Sequence, residues 1–359
     1  MSYICMFNQY PNMENTPSAA KTSLVSKLLK YVIPLVISVG LCYLLFRDIN
    51  YKEMLEIVRS QCDYRWICLA MGISIFSHVF RALRWRIQLR ALDIHAPLYA
   101  LVYSIFGTYA VNLVFPRLGE VWRTGYISQR QDAPFTTVFG SMVADRLADT
   151  VTVLLLTVVT FLLASGAIMT YLSANGEGYA RIVDFLTSPW LYVAGAAAVG
   201  VLWWFMAHKS NNKAVVKIQT ALRELWQGFA VITRMPGKGM WLVWTVALWG
   251  AYFTQLYVAF YAFPFTRDIL AEHGIVAALV TFVLSSISMG VPSNGGIGPW
   301  QWAVIFALGI YGLGQASAAA FANLVLGSQT LLLIVLGIFT FIAIALDKNK
   351  TKTSTLKTR

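Results

Sequence analysis

The succession of long apolar stretches constrains the fold of this chain more than any other feature. A helix needs about 20 predominantly apolar residues to cross the hydrocarbon core of a bilayer. Six such stretches run approximately over residues 28–46, 65–79, 135–163, 189–206, 240–263 and 316–346. Charged residues make up 12% of the chain, against about 25% in a soluble domain. We therefore predict an all-α polytopic membrane protein with about six full spans.

Two further apolar stretches are interrupted by Pro and Gly. Residues 98–115 lead directly into PRLGEVWR, and residues 274–290 are broken by PSNGGIGP before the chain becomes apolar again over 300–313. Because such residues break helices and non-helical backbone at membrane depth must be shielded by protein, we predict a re-entrant helical hairpin at each position. A short amphipathic helix over 51–59 is expected to lie on the membrane surface.

Lysine and arginine follow the predicted sides of the membrane. The leader 1–24 and the start of span one, the loops after spans two and four, and the tail 347–359 together carry 18 basic and four acidic residues, whereas the opposite segments carry six basic and eight acidic residues. By the positive-inside rule, both termini are expected to be cytoplasmic. The net charge of +12 then reflects orientation in the membrane, and no nucleic-acid partner is expected. The leader is predicted to be disordered.

The order span, span, hairpin, span occurs twice. The first set is predicted to start on the cytoplasmic side of the membrane and the second on the opposite side. This order predicts an inverted-topology repeat with halves over residues 25–165 and 189–346. Transport folds of this kind bring paired broken segments together near the middle of the membrane. The matching broken segments here are 112–123 and 292–301.

Ionisable residues are costly at bilayer depth and are functional candidates by default. Asn112 precedes the first break, and a helix beginning after Pro116 would place Arg117, Glu120 and Arg123 on roughly one face. The predicted basic helix after span two, RALRWRIQLR, is expected to contact anionic headgroups or to act only as an orientation signal.

Span three carries Asp145, Arg146 and Asp149 in its first half. Two aspartates four residues apart repel each other unless a cation intervenes, and Arg146, Arg117 or Arg123 could supply it. The interior set would then contain three acids and three arginines. An alternative is an ion-pair network that only fixes helix register, with some arginines extending to the interface.

The second break is rich in glycine. Gly295, Gly296 and Gly298 allow a close backbone approach, and a helix starting near Pro299 would present its N-terminus there. Glycine-rich turns before helices suit anions such as phosphate, although a simple tight turn has the same composition. The four cysteines and four histidines show no metal-binding spacing, so no metal or other cofactor is expected.

Taken together, RALRWR, NLVFPRLGEVWR, DRLAD and PSNGGIGPWQ resemble the membrane region of the lysylphosphatidylglycerol synthase family of flippase-like domain proteins, over about residues 25–346. The resemblance implies a multi-pass protein of the bacterial inner membrane. In the best understood family members, this region moves an aminoacylated phospholipid between leaflets. The positions that match the family pattern are Arg117, Glu120, Arg123, Asp145, Arg146, Asp149, Gly295, Gly296 and Gly298.

Two departures from the family pattern limit what the resemblance implies. Gln301 stands where the family commonly has an acid after the glycine turn, although it remains a candidate for substrate binding. The chain ends at Arg359 without the large soluble domain of aminoacylating members. We therefore do not expect lipid aminoacylation.

The sequence favours a lipid translocase for a phospholipid or a lipid-linked headgroup such as a polyprenyl phosphate. Arg117 and Arg123 would hold the phosphate, while Glu120 and Asp145 or Asp149 would balance charge or hold an amine. One alternative is a non-catalytic partner of a glycosyltransferase or another lipid-modifying enzyme. A second is an intramembrane enzyme that acts on a lipid pyrophosphate with Mg²⁺ held by the acids, although no nucleophile with a base is readable.

Overall fold

The structure is a computed structural model, and it describes residues 51–174, 235–291 and 293–357, together with isolated positions between 188 and 200. All regular secondary structure in these segments is helical, as predicted. The leader and predicted span one lie outside the described residues, as does predicted span four apart from the isolated positions.

Nine α-helices and one 3₁₀ turn make up these segments. In chain order they are α1 (Tyr51–Gln61), α2 (Tyr64–Arg90), α3 (Leu98–Val114), α4 (Leu118–Gln131), α5 (Phe135–Ala174), α6 (Lys238–Ala259) with its 3₁₀ turn (Phe260–Ala262), α7 (Pro264–Ser288), α8 (Pro299–Ile310) and α9 (Gln315–Lys357). The first hairpin is α3 and α4, and the second hairpin is α7 and α8. Helix α1 is the short amphipathic helix expected from the sequence.

Five of these helices are long and apolar enough to cross a membrane. Four of them, α2, α5, α6 and α9, correspond to predicted spans two, three, five and six. The fifth, α7, begins ten residues before the predicted first arm of the second hairpin. Pro264 occupies the first turn, where its missing N–H is harmless. Gly274, where the arm was predicted to begin, instead lies inside α7, and its φ of 64° bends the helix there.

Helix α2 also extends further than predicted. The carboxylate of Asp63 accepts a hydrogen bond of 3.1 Å from the backbone N–H of Arg65 and caps the N-terminus. The helix then continues without interruption to Arg90. The basic run predicted as a separate juxtamembrane helix is therefore the last third of α2. Because this part is helical, some of its side chains point into the bundle and others point away from it.

The packing between helices is reciprocal. Helix α2 packs against α6, its counterpart in the second half, while α3 packs against α9 and α7 packs against α5. Such an exchange of equivalent contacts is the pattern that an internal two-fold relation produces. Helix order and packing thus agree with a repeat, while the inversion across the membrane and the re-entrant path of the hairpins remain predictions.

Small residues let the helices approach closely. In the core of the second half, α8 contributes Ala303 and Ala307, and α9 contributes the fully buried Ala318 and Ala322. Lipid tails are as apolar as leucine, so helix association in a bilayer depends on such close packing rather than on the hydrophobic effect. The outer face of α5 instead exposes large apolar side chains such as Leu162, which is 70% exposed, as suits a surface that faces lipid.

The two arms of the first hairpin pack closely against each other at Gly119. A Cβ atom at Gly119 would collide with the backbone oxygen of Thr108 on the opposite arm and would crowd Asn112. The backbone N–H of Gly119 donates a 2.8 Å hydrogen bond to Asn112 Oδ1. This close approach brings the first turn of α4 against α3 and fixes the position of the charged residues that follow.

Candidate functional site: a buried arginine and carboxylate cluster

Helices α2, α4 and α5 bring seven ionisable side chains into one contiguous group, which we name the charged cluster. Its members are Arg81 and Arg84 from α2, Glu120 and Arg123 from α4, and Asp145, Arg146 and Asp149 from α5. Ionisable groups inside an apolar helix bundle are expensive and mark candidate functional sites.

Two arginines and two aspartates form the buried centre of the charged cluster. Arg81 Nη1 donates to Asp149 Oδ2 at 2.9 Å and lies 3.4 Å from Asp145 Oδ2. Arg84 donates from Nε to Asp145 Oδ1 at 2.9 Å and from Nη2 to Asp149 Oδ1 at 2.8 Å. Each carboxylate is therefore shared by two guanidinium groups. This sharing offsets the repulsion between the aspartates and the cost of burying them.

Sequence reasoning missed the role of Arg81 and Arg84. They were expected to contact headgroups or to orient the protein, but their residues are 3% and 0% exposed. They point inward because α2 continues past the predicted end of span two. Their three-residue spacing matches the four-residue spacing of Asp145 and Asp149 on a facing helix. The sequence signal that could have identified this pairing was the matching spacing, together with the fact that two nearby aspartates require cations.

A second branch of the charged cluster joins the first hairpin to α5. Arg146 Nη2 donates to Glu120 Oε1 at 2.7 Å, and Asn112 Nδ2 donates to Glu120 Oε2 at 3.2 Å. Arg146 also lies 3.8 Å from Asp149, which connects this branch to the buried centre. The side chains of Arg146 and Glu120 are 35% and 18% exposed. This branch is therefore the accessible edge of the charged cluster.

Arg123 lies inside the charged cluster but makes no side-chain hydrogen bond to any of the described residues. Its guanidinium carbon is 4.6 Å from the centre of the Trp85 ring, within the range of a cation–π interaction. Its nearest carboxylate contact is 3.8 Å to Asp145 Oδ2. None of its three side-chain nitrogens makes a hydrogen bond within the described segments.

The charged cluster carries more positive than negative charge. The sequence predicted three acids and three arginines, but the structure replaces Arg117 with Arg81 and Arg84, giving four arginines against three carboxylates. With every group ionised, the excess is one positive charge. An anionic group could therefore enter the cluster without displacing a carboxylate.

Arg117 lies apart from this group, at the tip of the first hairpin. It adopts a left-handed backbone conformation with φ 61°, so α4 begins only at Leu118. Its Nη2 donates a 2.7 Å hydrogen bond to the backbone oxygen of Gly290 in the second hairpin. The prediction that Arg117, Glu120 and Arg123 share one face is wrong, because the left-handed residue precedes the helix.

The glycine turn of the second hairpin meets the first hairpin. Gly295, Gly296 and Gly298 all have positive φ, which glycine adopts without steric cost. A Cβ atom at Gly295 would crowd the side chain of Leu113, and one at Gly296 would crowd Met289. Gly295 thus permits the close approach between the two hairpins that the sequence predicted, and Gly296 permits close packing within the second hairpin.

Gln301 stabilises the start of α8 rather than joining the charged cluster. Its Oε1 accepts a 2.9 Å hydrogen bond from the backbone N–H of Gly298, and its Nε2 donates to Asn323 Oδ1 on α9. These contacts are those of a helix cap and an interhelical tie. The amide that replaces the family's common acid therefore has a structural use in this chain.

Aromatic residues of α6 connect the charged cluster to the second half. Arg81 Nε donates to the hydroxyl of Tyr252 at 3.3 Å, and that hydroxyl lies 3.3 Å from the hydroxyl of Tyr109 on α3. The Arg84 guanidinium lies 5.7 Å from the centre of the Trp241 ring. Sequence reasoning did not identify these residues, because aromatic residues are common throughout the spans.

Metal binding finds no support within the described segments, where no three Asp, Glu, His or Cys residues are grouped so that they could hold an ion. Glu120, Asp145 and Asp149 are each engaged by arginine.

The long apolar helices, the paired hairpins and the buried ionisable residues define a multi-pass helical membrane protein with a polar site inside its helix bundle. The family model of the lysylphosphatidylglycerol synthase TM region matches residues 31–337, and the chain belongs to this family. Comparisons with curated proteins and with solved structures gave no match. The family assignment indicates a membrane function related to lipids.

Proposed function

We propose that this protein is a lipid translocase that moves a phospholipid or a lipid-linked headgroup between the two leaflets of a membrane. The observation that carries the proposal is the excess positive charge of the charged cluster, which lies within apolar helices. A lipid headgroup has to cross that apolar region, and fixed charges there lower the cost of moving it. The family assignment supports the same class of activity.

The arrangement of signs suits a headgroup that carries both charges. The buried members of the charged cluster are three arginines and two aspartates, whereas Glu120 lies at the accessible edge beside Arg146. A phosphate would interact with the arginines, and an amine could exchange with Arg146 for the carboxylate of Glu120. Zwitterionic and aminoacylated phospholipids therefore fit the proposal, as does an anionic polyprenyl phosphate.

The contact between the two hairpins supplies an element that could move during transport. Transport folds with paired broken helices expose a central site alternately to either side. In this structure the turns meet through Arg117 and Gly290. Separation of the turns would open one side of the bundle, so we include this movement in the proposed mechanism.

The proposed setting is the bacterial inner membrane with both termini in the cytoplasm. It is supported by the distribution of basic residues in the sequence. Reporter fusions at residue 359 and within 175–187 would test it. A cytoplasmic reporter should be active at the first position and inactive at the second, and the reverse pattern would refute the orientation.

The proposal is tested by reconstituting the purified protein into proteoliposomes with fluorescent phosphatidylglycerol. Translocation is followed by the fraction of label that an impermeant quencher cannot reach. Glu120→Gln and Arg146→Gln should each slow movement substantially, whereas Arg59→Gln on the exposed face of α1 serves as the control. Wild-type rates in both cluster variants, with folding verified, would exclude a role for the cluster.

The partner alternative remains distinguishable in the same preparation. Wild-type protein that moves none of several labelled lipids, yet retains a lipid-modifying enzyme during purification from native membranes, would favour it over the translocase. Turnover of a lipid pyrophosphate that requires Mg²⁺ would instead favour the intramembrane enzyme.

A further inference from the structure

The Arg123 guanidinium is the least compensated charge in the charged cluster. The residue is 0% exposed, and none of its side-chain nitrogens has a hydrogen-bond partner within the described part of the chain. Its nearest carboxylate oxygen, on Asp145, is at 3.8 Å, beyond the usual length of an N–H···O hydrogen bond. A buried cation is normally retained only with a partner.

Neighbouring groups hold this guanidinium in place without using its donors. The Trp85 ring lies against it at 4.6 Å, and the indole N–H of Trp85 donates a 3.0 Å hydrogen bond to Ser141 Oγ. The ring is therefore fixed, and the guanidinium that packs on it retains unused N–H groups. A planar, fixed set of donors is suited to an anion with two acceptor oxygens.

A second arginine has an unused donor close by. Arg84 approaches the same Asp145 carboxylate with Nη2 at 2.6 Å, but its Nη1 is buried and makes no hydrogen bond to the residues that the structure describes. The two guanidinium groups lie near each other, because both contact the carboxylate of Asp145, at 2.6 Å and 3.8 Å. Unused donors on both groups, together with the excess positive charge, favour the binding of an anion.

We propose that Arg123 and the Nη1 group of Arg84 form an anion subsite whose ligand is a phosphate group, carried by a phospholipid headgroup. The inference rests on the proposed function, since it specifies which chemical group of the lipid the charged cluster binds. Inorganic phosphate offers the same acceptor oxygens and is the alternative source. Because the donors are closed off from solvent, a ligand reaches them only when the helices around Arg123 move apart.

Binding to the purified full-length protein tests this inference without transport. The thermal unfolding midpoint is followed during titration with dioctanoylphosphatidylglycerol, with inorganic phosphate, and with dioctanoylglycerol, which lacks the phosphate. Binding to the native state raises the midpoint as ligand concentration rises. We expect a rise with the phospholipid and none with dioctanoylglycerol. A comparable rise with dioctanoylglycerol would overturn the proposal.

The Arg123→Met variant should lose this response while Arg59→Gln retains it. The apparent dissociation constant should increase by about tenfold or more, because hydrogen bonds between charged partners are the strong ones. Without ligand, Arg123→Met should unfold at the same temperature as the wild type or higher, since it removes an unpaired buried charge. A purely structural arginine would instead give a lower midpoint and unchanged ligand binding, which would contradict the subsite.

Arg123→Lys provides a second variant if Arg123→Met is poorly produced. It keeps the charge but loses the planar donor fork, so it should bind the phospholipid more weakly than the wild type. Wild-type affinity in Arg123→Lys would overturn the two-oxygen geometry. An equal response of the wild type to inorganic phosphate would support the subsite but assign it to the free ion.

Failure of the subsite and failure of the translocase give different results. Phospholipid binding that depends on Arg123, with no lipid movement in proteoliposomes, would support the subsite and refute translocation. Lipid movement at wild-type rate in Arg123→Met would support translocation and refute the subsite.

Discussion

The Nη2 atom of Arg117 donates a 2.7 Å hydrogen bond to the backbone oxygen of Gly290, joining the turns of two hairpins that are 173 residues apart in sequence. Arg117 makes this bond from a left-handed backbone conformation, which costs a non-glycine residue about 1–2 kcal/mol. The hydrogen bond depends on the side chain of Arg117 and the strain on its backbone conformation. Different substitutions at this residue can therefore separate their two effects.

Arg117→Ala should loosen the contact between the turns and keep the backbone strain, whereas Arg117→Gly should loosen the contact and relieve the strain. Both variants should show faster amide hydrogen exchange in segment 290–298 of the other hairpin, measured by mass spectrometry. Arg117→Gly should be the more stable of the two in thermal unfolding. Unchanged exchange at 290–298 in both variants would show that the bond does not hold the turns together.

Two glycines of α4 give opposite predictions for the same substitution. Gly119→Ala places a methyl group against the backbone of Thr108, which cannot move aside, while a Cβ atom at Gly125 meets nothing within 4 Å. Gly119→Ala should therefore destabilise the first hairpin and reduce the yield of folded protein. Gly125→Ala should stabilise the protein by about 0.5–1 kcal/mol, because alanine is the better helix former.

Unfolding midpoints of the two alanine variants in one detergent test this contrast directly. The substitutions have the same chemistry and lie on the same helix, so a general effect of altering α4 would move both midpoints in one direction. Equal destabilisation by both variants would contradict the close packing at Gly119.

The spans and breaks were predictable from the sequence because they depend on local chemistry. Length and apolarity identify helices α2, α5, α6 and α9, and the residues around Pro116 and Gly295 identify the turns. The aspartates of α5 were recognisable for the same reason, since charge inside an apolar run is conspicuous. The helix boundaries were less accurate, because helices continue beyond the apolar part.

The partners within the charged cluster were not predictable, because they depend on which face each helix turns inward. Arg81 lies in a basic run whose composition also suits a membrane surface, and only the packing of α2 against α5 distinguishes the two. Arg117 departs from its predicted face because a single left-handed residue shifts the start of α4. Hydrophobic pattern does not reveal such a change.

The tie between Gln301 and Asn323 should contribute to the packing of α8 against α9. Gln301→Ala removes both the cap on the backbone N–H of Gly298 and the bond to Asn323, with an expected cost of about 1–2 kcal/mol. Asn323→Ala removes the bond to Gln301 together with the hydrogen bonds that Asn323 Nδ2 donates to Met54 Sδ and to the backbone oxygen of Ala319. In a double-mutant cycle, the combined loss should be smaller than the sum by about 1 kcal/mol. Additive losses in thermal unfolding would contradict the tie.

The buried centre of the charged cluster predicts an unusual rescue between Arg84 and Asp145. Arg84→Met leaves the carboxylates of Asp145 and Asp149 to share Arg81 as their close cation, and loss of one member of a buried ion pair costs about 3–5 kcal/mol. Adding Asp145→Asn removes one of the two carboxylate charges that then share Arg81. The double variant should therefore unfold at a higher temperature than Arg84→Met alone. If the second substitution lowers the midpoint further, the two residues do not compensate each other, and the central ion-pair network is not what makes Arg84 necessary.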